Sequence, residues 1–265
     1  MGRFSEMLAE YKRMTSKECM GISVIKGEEP DILDNKIGGI PYWPVDMESE
    51  LSEIEDMCLL LQVNLKDIDV KGLPKQGILE IFAEADGDWD SEVKVFIFDE
   101  DLEYCTDIEM PDLDDFFVTS PLKIALEKTN EYMPINLENA NGIFCDLVNE
   151  YLGEEINDWT DELEYFAEES DESAEDWEVF EEFTQSDSTE LAEGCTFANI
   201  LGYPNYTQSN EGLYDNDTDV CLFKLDSLLD PSVNIGDAGI LTIVMPKDKL
   251  ENRDFSDIGV YCDCL

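Results

Sequence analysis

Gly77-Ile78-Leu79-Glu80-Ile81 and Gly239-Ile240-Leu241-Thr242-Ile243 are two versions of one phrase, a glycine that opens a short apolar run. A run of this length, bounded by turn residues, reads as a buried strand. Two further blocks keep the same order. Leu60-Leu61-Gln62-Val63-Asn64 resembles Leu222-Phe223-Lys224-Leu225-Asp226, and Gly39-Ile40-Pro41-Tyr42 resembles Gly202-Tyr203-Pro204-Asn205. The offsets are 163 residues for the turn and 162 for each strand block. Ordered recurrence with one residue of slippage in a loop predicts a duplicated unit. The expected fold class is therefore α+β, two pseudo-equivalent halves built on mainly antiparallel sheets with flanking helices.

Working outward, residues 93–98 follow the first phrase after the turn-rich Asp86-Gly87-Asp88-Trp89-Asp90, and antiparallel pairing is the simplest way to join them. In the second half Ile240 to Met245 ends at Pro246, which cannot donate to a ladder, and Ile258 to Cys262 reads as the next strand. Phe4, Met7, Leu8 and Tyr11 have the spacing of an amphipathic helix. The halves are bounded at about 20–128 and 196–265, within one domain spanning 1–265.

Between them, residues 129–195 form an acidic helical segment. No lysine or arginine occurs between Lys128 and Lys224, and residues 154–193 hold 18 acids. A charge block of this kind ordinarily signals a disordered tail. Trp159, Leu163 and Phe166, then Trp177, Phe180 and Phe183, instead recur at helical spacing, with Ser173 and Asp176 as a capping box. Two acidic helices docked by their aromatic faces are expected. The alternative is an acidic aromatic segment that binds a partner in extended form.

Lysine and arginine number 16 against 65 aspartates and glutamates, a formal net charge of −49. Such a surface repels nucleic acid and anionic membranes. The 43% hydrophobic content still suffices for a core. Histidine is absent, which removes Ser-His-Asp and Cys-His catalysis, His-bearing zinc sites and imidazole proton shuttling. Eight scattered cysteines, without a CxxC pair, read as reduced and mostly buried thiols. The charged N-terminus lacks the apolar core of a secretory signal and both lipidation motifs fail, so a cytoplasmic protein is expected. The Asp215-x-Asp217-x-Asp219 run ending at Asp226 has Val220 where a calcium loop needs glycine. No metal or cofactor is expected.

Gly38-Gly39-Ile40-Pro41-Tyr42-Trp43-Pro44, Leu61-Gln62-Val63-Asn64, Leu201-Gly202-Tyr203-Pro204-Asn205-Tyr206-Thr207-Gln208, Gly236-Asp237-Ala238-Gly239 and Asp254-Phe255-Ser256 together resemble the YwqG-like family of bacterial proteins. The resemblance covers most of the chain from about Lys36 onward. It implies an α+β fold with two related sheet halves and carries no established activity. Some relatives look like neighbours of bacterial toxins, which would suit an immunity role. Two positions depart from the family: Gln208 is followed by Ser209-Asn210-Glu211 in place of an Asp-Pro-Arg, and Lys224 stands where a glutamine would match Gln62.

Gln62 and Asn64 alternate with Leu61, Val63 and Leu65, so the two amides share one face of a strand. They are either groove-lining ligands or structural partners of nearby backbone. The candidate ligand-binding set is Gln62, Asn64, Gln208 and Asp226, with no catalytic residue assigned. The leading functional expectation is a non-enzymatic binding module for a basic protein partner, a monomer or small oligomer. The alternative is a carboxylate- or metal-dependent hydrolase with this set converging in a groove between the halves.

Overall fold

The computed structural model describes residues 3–84, 92–100, 102–111, 117–135, 137–153, 196–206 and 214–264. The acidic stretch 154–195, with its two expected helices, the 86–90 turn and Gln208 lie outside the described residues. Helix α1 (Arg3–Thr15) precedes strands β1 (Lys17–Val24), β2 (Lys36–Ile37), β3 (Met57–Asn64), β4 (Ile78–Glu84), β5 (Val93–Phe98) and β6 (Leu122–Glu131). Helix α2 (Glu138–Leu152) follows, then β7 (Ala198–Ile200), β8 (Asp219–Asp226), β9 (Ile240–Pro246), the short α3 (Lys247–Glu251) and β10 (Gly259–Asp263). The structure is α+β and dominated by antiparallel sheet. The strands join one ten-stranded sheet, ordered β10-β9-β8-β7-β1-β6-β2-β3-β4-β5, instead of separate sheets.

The sheet curls into a nearly closed barrel. One hydrophobic cluster takes residues from both ends of the strand order, Val95 of β5 at one edge and Leu241 and Ile243 of β9 beside the other, with Val260 of β10 packed against it. Curling brings the inner faces of distant strands together, so the core forms without a second sheet.

A bulge explains why β3 is buried along its whole length. Its ladder with β4 shifts register between Leu59 and Leu61. Before the bulge Met57 and Leu59 face an outer aromatic cluster; after it Leu61 and Val63 face the inner core. An extra residue inverts which parity points inward. The β8–β9 ladder shifts between Cys221 and Phe223, with Cys221 outside and Phe223 and Leu225 inside. Every β3–β4 pair, from Met57 with Glu84 to Asn64 with Ile78, recurs 162 residues later, from Asp219 with Pro246 to Asp226 with Ile240.

Two outer clusters cover the barrel. The Phe4, Met7, Leu8 and Tyr11 stripe of α1 packs with α2 and with Tyr203, Tyr206 and Val244. At the other end Tyr42 and Trp43 pack against Ile78, Phe82 and Phe98. The turn that delivers them needs glycine: Gly38 and Gly39 hold φ of 74° and 84°, and a Cβ on Gly39 would lie 2.9 Å from Pro121.

Candidate functional site

Curling leaves polar residues in cross-strand rows on the outer face, where the loops close over them. The first row runs Lys36, Gln62 and Glu80 across β2, β3 and β4. Gln62 is 1% exposed. Its Oε1 accepts the Tyr42 N–H at 2.9 Å, and its Nε2 donates to the carbonyls of Ile32 at 2.8 Å and Asp34 at 3.0 Å. Lys36 donates from Nζ to the carbonyls of Asp31 at 3.2 Å and Ile32 at 2.9 Å. Both side chains thus satisfy loop backbone that burial would otherwise leave without water. Burial lowers the Lys36 ammonium pKa to about 8, with Glu80 opposing.

Glu80 is different. It is 0% exposed, and neither carboxyl oxygen has a hydrogen bond of ordinary geometry to a described residue. Burial raises its pKa well above the carboxylate range, against the opposing pull of the Lys36 charge and the Tyr42 N–H. Burial therefore favours the protonated, uncharged form of the Glu80 carboxyl.

The second row runs Asn199, Lys224 and Thr242 across β7, β8 and β9. Its acid comes from β6. Glu131, 2% exposed, accepts on Oε1 from the Thr196 N–H at 3.0 Å, the Thr196 hydroxyl at 2.5 Å and Lys224 Nζ at 3.3 Å. Its Oε2 accepts from Asn199 Nδ2 at 2.9 Å and the Tyr203 N–H at 3.0 Å. Five donors converge on one carboxylate. Gly202 leaves the room this needs, since a Cβ there would collide with Glu131 and Asn199. Lys17, whose pKa burial lowers, donates to the Gly202 carbonyl at 2.9 Å and lies over the Tyr203 ring.

Of the sequence-derived candidates, Gln62 and Asn64 stand together on β3. Asn64 Oδ1 caps the 3-10 turn Leu65–Asp67 through the Lys66 N–H at 3.2 Å, and its Nδ2 donates to Glu100 at 2.8 Å. Asp226 caps the 3-10 turn Ser227–Leu229, accepting from the Leu228 N–H at 2.8 Å. Burial raises the Asp226 pKa. Four strands, β7, β1, β6 and β2, separate β8 from β3 in the sheet. Gln208 lies outside the described residues. Glu80, Glu131 and Asn199 were missed. For Glu80 a signal existed, a lone acid inside a buried strand phrase.

The buried thiols are poor nucleophiles. Burial raises the thiol pKa of Cys19 and Cys221 to about 12 and of Cys58 to about 11, which keeps them protonated. Among the described residues no group of three His, Cys, Asp or Glu side chains is placed to hold a metal ion. The Asp215–Asp219 run is a closed turn, in which Asp215 accepts the Asp217 N–H at 2.8 Å and Asp219 accepts the Asp215 N–H at 3.0 Å. No helix among the described residues is long and apolar enough to cross a membrane.

An accessible feature among the described residues is the seam where the barrel fails to close. A cleft of about 610 Å³ is lined by Glu92 to Phe96 on the β5 side, by Phe255, Ser256, Ile258 and Val260 on the β10 side, and by Glu53. That volume lies in the range of small-molecule sites, roughly 300–1,000 Å³. Its lining mixes valine, isoleucine and phenylalanine with Ser256 and with the charged Glu53, Glu92 and Lys94 at the rim.

A family model described as a domain of unknown function (DUF1963) matches residues 35–264. Comparison with curated proteins gives no match.

Proposed function

We propose that this chain, which belongs to the DUF1963 family of domains of unknown function, is a non-enzymatic binding module for a basic protein partner. The observation that carries the reading is the net charge of −49 on a chain with 16 basic residues. Charge of one sign accelerates encounter with a partner of the other and repels anionic polymers and lipids. The buried carboxyls support binding over catalysis: Glu131 is saturated by five donors, and Glu80 is sealed from solvent.

Within the family we read the chain as YwqG-like, on the turn and strand motifs quoted above, and as two related halves. The 162-residue recurrence of pairs and bulge supports that relation. An immunity-like role, a cytoplasmic location and a monomer or small oligomer belong to the same reading. The hydrolase alternative draws on the raised Asp226 pKa. Affinity capture on the immobilised chain at low and high salt tests the binding function. A basic protein retained at low salt and released at high salt is expected; no retained protein at either salt overturns it.

A further inference from the structure

The seam exposes main-chain hydrogen-bonding groups as well as apolar side chains. The Glu84 N–H donates to the Glu92 carbonyl at 3.2 Å, which fixes 84 with 92 as a bonded pair of the β4–β5 ladder. Bonded and non-bonded pairs alternate in an antiparallel ladder. Lys94, Phe96 and Phe98 therefore turn their N–H and C=O groups toward β4. Val93, Val95 and Ile97 turn theirs away from β4, those of Val93 and Val95 along the cleft, and no described residue bonds them.

An edge of this kind is a template for another strand, and proteins usually guard it with a lysine or a proline. Lys94 stands where such a guard would be. Its Nζ is instead drawn back onto the Glu53 carbonyl at 2.8 Å, with the Glu53 and Glu92 carboxylates each at 3.9 Å. The rim is left with two carboxylates for one lysine that both already engage.

We propose that the β5 edge takes up an extended basic segment of the partner protein as an added strand, antiparallel to β5, along the seam facing β10. The inference rests on the binding function proposed above and names the site for it. A segment that alternates basic and apolar residues fits both walls: one set of side chains meets Val95, Ile258 and Val260, and the other reaches Glu53 and Glu92. Because all neighbouring strands are antiparallel and there are ten of them, β5 and β10 run in opposite senses. The added strand is thus antiparallel to β5 and parallel to β10. A second copy of this chain is a poor occupant, since it would bring −49 against −49.

The test titrates the full chain at low salt with two labelled peptides of equal charge, alternating lysine–valine and alternating lysine–proline, the second lacking the N–H at each apolar position, which is the one that would face β5. The lysine–valine peptide is expected to bind on the order of tenfold more tightly. Val93→Pro, at the first residue of β5, removes one of the three edge N–H groups and is expected to narrow the difference. The double variant Glu53→Lys, Glu92→Lys leaves the backbone intact and is expected to weaken lysine–valine binding on the order of tenfold. Equal binding of both peptides by the unsubstituted chain overturns the strand-addition site while leaving the acidic binding surface standing. Absence of binding by either overturns both. Self-association that the peptide displaces overturns the proposal by assigning the seam to a second copy.

Discussion

The buried acid Glu80 makes a prediction that can be worked through. A carboxyl whose folded pKa lies above its unfolded value, about 4.3 for glutamate, binds more protons when folded. It contributes stability that is fully present below the unfolded pKa and is lost as pH rises toward the folded pKa. The raised Glu80 pKa therefore makes folding less favourable with increasing pH, with a limiting slope of about 1.4 kcal/mol per pH unit for one proton. Lys36 does not obscure this window, because its ammonium, lowered to about 8, stays charged below that pH. Glu80→Gln removes the titration while keeping the shape. Its absolute stability includes the cost of a buried amide, about 1–3 kcal/mol if its N–H groups go unpartnered. The slope is thus the observable. Urea unfolding of both proteins across pH 5 to 7 should show the wild type losing stability relative to Glu80→Gln as pH rises, no more steeply than about 1.4 kcal/mol per pH unit. Parallel curves would mean that Glu80 is ionised beside Lys36, and the reasoning about its burial would be refuted.

Three further outcomes follow from the outer clusters and the thiols. Glu131→Leu strips Thr196, Asn199 and the Tyr203 N–H of their acceptor and should cost about 3–5 kcal/mol, whereas Lys224→Met leaves Glu131 four neutral donors and should cost less; denaturant unfolding giving the reverse order contradicts the five-donor account. Gly202→Ala should destabilise the chain by about 1–3 kcal/mol through collision with Glu131 and Asn199, and an unchanged melting temperature would show that the turn has slack. Cys19, Cys58 and Cys221 should resist alkylation in the native state at neutral pH and react on unfolding, and rapid native labelling of any of them at that pH would contradict their burial.

What the sequence made legible followed from local pattern. The α1 stripe, the strands around Gln62 and Lys224, and the β4–β5 and β9–β10 pairs were visible because apolar runs between turn residues leave few alternatives. The bulge was not, because Leu59-Leu60-Leu61 is apolar on both parities and conceals the inversion of faces. Nor was the union into one sheet, which depends on β1 pairing with β6 across about a hundred residues and on β2 and β7, two and three residues long. The candidate site shows the same division. Gln62 could be placed on a face, but its partners Ile32, Asp34 and Tyr42 come from loops whose paths no periodicity records. Glu131 gathers donors 65 to 93 residues away, a convergence that belongs to the closed fold alone.

The central claim, capture of a basic strand at the seam, is tested most directly by amide hydrogen exchange of the full chain with and without the alternating lysine–valine peptide. Added pairing at β5 predicts slower exchange at Val93, Val95 and Ile97, lost again at high salt, with Lys94 and Phe96 little changed. Peptide bound with no new protection along β5, or protection confined to other elements, would contradict it.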